Sequence, residues 1–311
     1  MQLPNDLQDS AEFEQKLVAV YGRAIAQRIV DVLHEESAVC YWKNPLLEAR
    51  QLDADLPAGD TPLRELDEVF VSRAVDGISQ SSVASRGLIY LQNPSSYFAA
   101  RTLAPARDEE VLDLAAAPGS KTIAMAAMMD NTGRIAAVEP IKARFHRLRA
   151  NLERCGVTNV QLYQRDGRGV GRAVGERFDR VLLDAPCSSE ARIRWSDPTT
   201  YRHWTLRKIK EAARKQKSLL RSAYLAMRPG GELIYSTCSF APEENEMVVH
   251  HLLKKTDAQL LPIERQPANV ITGLTQWRNK GSPELAKCVR IVPDGTWDGF
   301  FLARICKPNA N

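Results

Sequence analysis

The stretch EEVLDLAAAPGSKTIAMAAMM, residues 109–129, decides the fold. Val111 to Leu114 read as a short buried strand, and three alanines, Pro118 and Gly119 then turn the chain. Ser120 onward supplies mostly apolar helix formers. Strand, small-residue turn and helix form the first half of a βαβ unit. Moving outward, the alternation repeats. GRIAAVEP (133–140) is a strand, KARFHRLRANLERCG (142–156) a helix, NVQLYQRD (159–166) a strand and FDRVLLDAP (178–186) another. A long helix across about 205–227 precedes the strand GELIYSTCS (231–239), and PEENEMVVHHLLKK (242–255) opens a helix on Pro242 and two acids. The last segments, CVRIVP and FFLARICK on either side of DGTWDG, read as a hairpin. The fold class is α/β: a Rossmann-like, doubly wound sheet with a C-terminal antiparallel hairpin.

A smaller N-terminal region comes first. Leu17, Val20, Tyr21, Ile25, Ile29, Val32 and Leu33 recur at helix spacing, so residues 1–36 form a helical region. Residues 37–105 form a mixed α/β region. Its strand or loop candidates are AVCYWKNPLL (38–47), DEVFVSRA (67–74) and GLIYLQNPSSYF (87–98). The doubly wound sheet and its hairpin form a domain that spans 106–311.

The chain has 311 residues, 44% hydrophobic and 26% charged, as a globular protein with a sizeable core requires. No run approaches the ~20 apolar residues that span a bilayer. The polar opening MQLPNDLQDSAEFEQ is neither signal nor transit peptide, which makes the cytoplasm the default compartment. Six cysteines without a C-x-x-C and five unclustered histidines argue against a metal site. The net charge of +4 decides little, but its distribution is uneven. Between Arg192 and Arg221, ten lysines and arginines face only Asp197 and Glu211, with Trp195, Tyr201, His203 and Trp204 among them. Cations that meet phosphates and rings that stack on unpaired bases make this a candidate nucleic-acid surface.

Ligands of such sheets sit beyond the carboxyl ends of the strands. Acids stand there in succession: Asp113, Glu139, Asp166 and Asp184. One alone is a turn former. Four suit a ligand with ribose hydroxyls, an exocyclic amine and a positive centre, which describes S-adenosylmethionine. AAAPGSK is neither G-x-G-x-x-G nor a phosphate-binding P-loop. Two strand ends also deliver thiols, Cys187 in DAPCSSE and Cys238 in YSTCSFAPEENE. The residues alone admit a disulfide, two structural thiols, or either cysteine as nucleophile. A disulfide suits the compartment least.

LDLAAAPGSKT, DAPCSSE, YSTCSFAPEENE and DGFFLARICK, in this order, resemble the Sun/Nop family of RNA cytosine-5 methyltransferases over about residues 87 to 307. GLIYLQNPSSYFAARTL is similar to that family's Q-x-x-S-S approach to the catalytic domain. The resemblance implies that the backbone of Ala115, Ala116, Ala117, Pro118, Gly119, Ser120 and Lys121 cradles the methionine end of S-adenosylmethionine. Glu139 then holds the ribose and Asp166 the adenine side. Arg144 joins the cofactor contacts, and Asp184 lies between cofactor and base. Cys238 is implied as nucleophile and Cys187 as its helper in product release. A helix starting at Pro242 is expected to lower the pKa of Cys238. Ribosomal RNA is the expected substrate ahead of transfer RNA, with no membrane, no metal and a monomeric chain. A non-catalytic RNA-binding assembly factor is the alternative. Ser120 stands where the family often has a second Gly, and Ala115 where it has Cys. The loop SSEARIRWSDPTTYRHW (188–204) replaces the usual Ser-Gly-Glu-Gly. CYWKNPLL matches the family's R-x-N-x-L element through Asn44 and Leu46.

Overall fold

The computed structural model describes residues 10–47, 60–72 and 77–309; the opening residues 1–9 and the end of DEVFVSRA lie outside them. Helix α1 (Ser10–Leu33) is broken at Gly22, whose φ of 74° and ψ of 161° no continuous helix contains. A four-stranded antiparallel sheet follows in the order β2-β3-β1-β4, from β1 (Cys40–Lys43), β2 (Thr61–Pro62), β3 (Val69–Val71) and β4 (Ile89–Leu91). The short helix α2 (Ser82–Ser85) precedes β4.

The stretch 87–98 is more than a strand or loop. After β4, Asn93 caps a helix, α3 (Pro94–Leu103), by accepting from Ser95 N at 3.0 Å, with Pro94 in the first turn. The Asn-Pro pair is a start signal, since the side chain satisfies a free N–H and the ring fixes φ.

The large sheet has a parallel half built from β5 (Glu110–Asp113), β6 (Arg134–Val138), β7 (Val160–Tyr163), β8 (Phe178–Asp184) and β9 (Met227–Thr237). Its strand order is β7-β6-β5-β8-β9. Helices α4 (Ser120–Met128), α5 (Lys142–Arg154), α6 (Val170–Val174) and α7 (Leu206–Ala226) connect these strands. The helix read from Pro242 is shorter: residues 242–245 are turns, and α8 runs Glu246–Leu253. The antiparallel extension comprises β10 (Gln259–Leu261), β11 (Val270–Thr272), β14 (Val289–Ile291) and β15 (Phe300–Cys306). The small hairpin of β12 (Gln276–Trp277) and β13 (Lys280–Gly281) stands apart. β14 and β15 form the terminal hairpin, with β15 antiparallel to β9.

Register places the site. β8 and β9 pair Leu183 with Tyr235 and Asp184 with Ser236, so the chains leaving both strands emerge side by side. Each carries a cysteine within three residues.

Candidate active site

At the end of β5, Asp113 is buried and accepts from Thr122 Oγ1 at 2.7 Å. Burial pushes its carboxyl up to about 6, against the pull of Thr122 and Lys121. The turn that follows is backbone-rich because Ala115–Ala117 have almost no side chain. Gly119 takes φ +112°, a left-handed position at the start of α4, and a Cβ there would stand 3.0 Å from Leu148 Cδ1. A cavity of about 290 Å³ opens here, lined by Ala115–Pro118, Ser120, Lys121 and Arg144 on one side and by Asp184, Cys187, Arg192 and Cys238 on the other.

Lys121 Nζ is almost fully buried and donates to Ser96 Oγ at 2.6 Å and Asp184 Oδ2 at 2.7 Å, above the Phe300 ring. Ser236 Oγ donates to the other carboxylate oxygen of Asp184 at 2.9 Å. On the far side of Ser96, Gln92 Nε2 donates to its hydroxyl at 3.1 Å, and Trp42 Nε1 donates to Gln92 Oε1 at 2.9 Å. A continuous relay thus runs from the small sheet to Asp184.

The sulfurs of Cys187 and Cys238 lie 3.3 Å apart, a hydrogen-bond contact well beyond the ~2.05 Å of a disulfide. Donation from the Cys187 thiol holds Cys238 below its ordinary value, and the Arg192 guanidinium acts in the same direction against burial. The same contact, with burial, pushes Cys187 well up. Of the two thiols, Cys238 is therefore the more readily deprotonated. The electrostatic cause differs from the sequence expectation. No helix begins at Pro242, and a thiol and a guanidinium do what a helix end was expected to do.

Two buried glutamates tie the cysteine loops together. Glu244 accepts from Ser188 N at 2.9 Å, Ser239 Oγ at 2.9 Å and Gln216 Nε2 at 2.9 Å, and from Ser188 Oγ. Glu190 accepts from Phe240 N at 2.8 Å and Trp204 Nε1 at 2.9 Å. Ser188 and Ser239 each follow a cysteine, so this clamp fixes the spacing of the thiols. Burial raises Glu244 to about 7, with the Glu190 charge adding to it.

Of the residues read from the sequence, Ala115–Pro118, Ser120, Lys121, Arg144, Asp184, Cys187 and Cys238 share one cavity. Gly119 shapes its wall. Glu139 is not among the residues lining the cavity; it is buried at the end of β6, accepts from Ile141 N at 2.8 Å and faces the lining residue Arg144 at 3.6 Å. Arg144 in turn donates to Ala117 O at 2.7 Å. Asp166 is not brought into the cavity. It caps a short 3-10 turn by accepting from Arg168 N and pairs with the Arg168 guanidinium at 2.6 Å, half exposed.

The aromatic reading of 192–204 is corrected. Trp195, Tyr201 and Trp204 are buried, with Phe13 edge-on to both indoles at 5.9 and 5.3 Å, so only His203 is open among the four rings. Arg194 also turns inward, donating to Ser37 Oγ at 2.6 Å and pairing with Asp298 at 3.1 Å. Asn44 is a buried staple, donating to Gly87 O and Cys155 O at 2.9 Å each. Sequence reasoning missed three residues of the site: Ser96, Glu244 and the thiol-facing role of Arg192. The first two lay inside quoted motifs, and only the fold shows what they touch.

The family described as 16S rRNA methyltransferase RsmB/F matches residues 100–306, more than half of the chain. The chain belongs to that family. Its members are S-adenosylmethionine-dependent RNA cytosine-5 methyltransferases, as the motifs imply. Among curated relatives, a tRNA (cytosine(49)-C(5))-methyltransferase of Pyrococcus abyssi is 43% identical over 226 residues, 72% of each chain. The ribosomal RNA small subunit methyltransferase F of Vibrio parahaemolyticus is 43% identical over 71% of this RsmB/F-family chain, which matches only 45% of that longer protein. A solved methyltransferase homolog from Pyrococcus horikoshii superposes with a TM-score of 0.80 at 33% identity, covering 96% of this chain and 95% of its own. NSun6 from the same organism, solved with SFG, an analogue of S-adenosylmethionine, shares the fold with a TM-score of 0.78 at 22% identity, covering 99% of both chains. Among the described residues no helix is long and apolar enough to cross a membrane, and no cluster of His, Cys, Asp and Glu could hold a metal ion.

Proposed function

We propose that this chain methylates carbon 5 of a cytosine in ribosomal RNA, in the cytoplasm where ribosomal subunits are made, with Cys238 as nucleophile. The observation that carries the reading is the pair of thiols 3.3 Å apart at the mouth of the cavity, each at the end of a neighbouring parallel strand.

The cavity fits S-adenosylmethionine. Three alanines leave backbone open to the ligand, carboxylates at Asp113 and Asp184 suit its positive charges, and Glu139 stands at the strand end where acids take ribose hydroxyls. Bound there, the cofactor supplies an electrophilic methyl group. The chain's own residues do the rest. Carbon 5 of cytosine is a poor nucleophile, so the Cys238 thiolate adds to carbon 6 and makes carbon 5 enamine-like. After carbon 5 is alkylated its proton passes to solvent, the freed electron pair restores the double bond between carbons 5 and 6, and the carbon–sulfur bond breaks with its pair leaving on sulfur as the Cys238 thiolate. Cys187, with its sulfur 3.3 Å from that of Cys238, is placed to stabilise the departing thiolate by a hydrogen bond and so to help release. Asp184, fixed by Lys121 and Ser236, lines the gap between cofactor and base. The target must be unpaired or flipped out to reach the cavity.

The 43% identity to a tRNA methyltransferase over 72% of both chains supports transfer RNA as a second reading. Bisulfite sequencing of RNA from a deletion strain separates the two by which methylcytosine disappears. The catalytic assignment is tested on a denaturing gel. Cys238→Ala should give neither methyl transfer nor a covalent RNA adduct, whereas Cys187→Ala should accumulate the adduct because attack proceeds and release fails. The reverse pattern would exchange the roles.

A further inference from the structure

Outside the catalytic cavity, a groove of about 650 Å³ runs between α7, α8 and the β12–β13 hairpin. Helix α7 gives one wall Lys210, Arg214 and Lys217, spaced four and three residues apart and therefore on one face. His250 from α8 and Lys254 just past its end stand opposite, and Lys280 closes the end. None of these cations is paired with a carboxylate among the described residues. The one acid in the lining, Glu243, is already engaged by Lys16 at 3.2 Å, by Trp277 Nε1 at 3.1 Å and by Arg278, also in the lining, at 3.9 Å. His250 Nδ1 is buried and lacks a hydrogen-bond partner.

Six cations crowded with little counter-charge, Glu243 in the lining and Glu211 beside Arg214, repel one another. Burial, and then Lys280, hold the Lys217 ammonium below its ordinary value, and burial with Lys254 and Lys280 does the same to His250. A folded chain keeps such a cluster at a cost that a bound polyanion would offset. Glu243 faces the groove while its neighbour Glu244 anchors Ser188 beside Cys187. Gln216, between groove residues Arg214 and Lys217, donates to Pro186 O on the catalytic loop at 3.0 Å. Two short chains of contact therefore tie the walls of the groove to the loop that carries Cys187.

We propose that this groove binds the phosphodiester backbone of the RNA substrate, at nucleotides away from the one that enters the catalytic cavity. The inference rests on the RNA reading above. It assigns to α7 a role in which phosphates, rather than stacked bases, are the ligand.

The test compares the wild-type chain, Lys210→Ala/Lys217→Ala/Lys280→Ala, and a control that loses the same charge elsewhere, Arg147→Ala/Arg172→Ala/Arg265→Ala. Binding of a fluorescein-labelled single-stranded RNA is followed by anisotropy across a salt series, with S-adenosylmethionine calorimetry as the check on folding. Each phosphate contact on a single strand contributes about 0.7 to the salt slope, so the groove variant should flatten it by about 2 and bind at least about tenfold more weakly. The control should keep the wild-type slope, and all three should bind the cofactor alike. A groove variant that retains the wild-type slope, or a control that loses as much as it does, would overturn the groove alone. A wild-type chain that binds the cofactor but no RNA would overturn the functional reading, and the groove with it.

Discussion

At the residue scale, the site depends on buried carboxylates whose protons are set by their surroundings. Glu244 is the sharpest case. Its folded-state value of about 7 lies above the 4.5 of an unperturbed glutamate, so the folded chain holds a proton that the unfolded chain has released. Stability from this group is complete below about 4.5 and is lost as pH rises towards 7. The shift corresponds to about 3 kcal/mol. Glu244→Gln, which mimics the protonated form, should remove this dependence. Urea unfolding at pH 5 and pH 8 should show the stability difference between variant and wild type shifting by roughly that amount in favour of the variant at the higher pH. A difference that stays constant with pH would place the ionisation elsewhere. Nothing in the one-letter sequence marks Glu244 out from Glu243 beside it. What separates them is which side of the turn each side chain leaves, and that is set by the packing of α7 and β9.

At the element scale, most of the catalytic sheet was legible because period-2 apolar runs and period-3.6 helices are local properties. The elements misread were those whose ends are decided by side-chain capping or tertiary contact. Helix α3 was hidden behind its own start signal at Asn93-Pro94. The helix at Pro242 was placed too early, because the side chains of residues 244 and 245 serve the cysteine loops instead of beginning a helix: Asn245 Nδ2 donates to Ser239 O at 2.7 Å. The turn from β5 into α4 is an element where local rule and function coincide. Gly119→Ala would force a side chain into a left-handed position and against Leu148, so a loss of about 1–3 kcal/mol is expected. Chemical denaturation should show it, and calorimetry should show weaker S-adenosylmethionine binding as the cradle shifts. A variant as stable as wild type would mean that the turn relaxes without strain.

At the scale of the whole molecule, α1 is fastened to the catalytic half by a hydrogen bond from a buried, charged arginine as well as by aromatic packing. Arg290 of β14 is buried, donating to both carboxylate oxygens of Glu246 at 2.6 and 2.5 Å and to Tyr21 of α1 at 2.9 Å. Breaking one side of a buried pair leaves an uncompensated charge, which costs about 3–5 kcal/mol. Arg290→Met should lower the denaturation midpoint accordingly, and adding Glu246→Gln should recover part of the loss. If the double variant is no better than the single, the pair is not the source of the stability. Such long-range links were invisible in the sequence, since 269 residues separate Tyr21 from Arg290. The basic run misled for the same reason. Trp195 and Trp204 sit among cations in the chain but among core residues in space, where Phe13 from the first helix covers them.

The relay from Trp42 through Gln92, Ser96 and Lys121 to Asp184 also has a bearing on design. It crosses any seam drawn near residue 105, so the RNA-modifying sheet and the segment before it are not interchangeable parts. A chimera that joins this catalytic half to a foreign N-terminal appendage inherits a lysine whose buried ammonium has lost its hydroxyl partner and a carboxylate that this lysine no longer aims. The unit to transplant is the set of five side chains together, wherever the linker happens to fall.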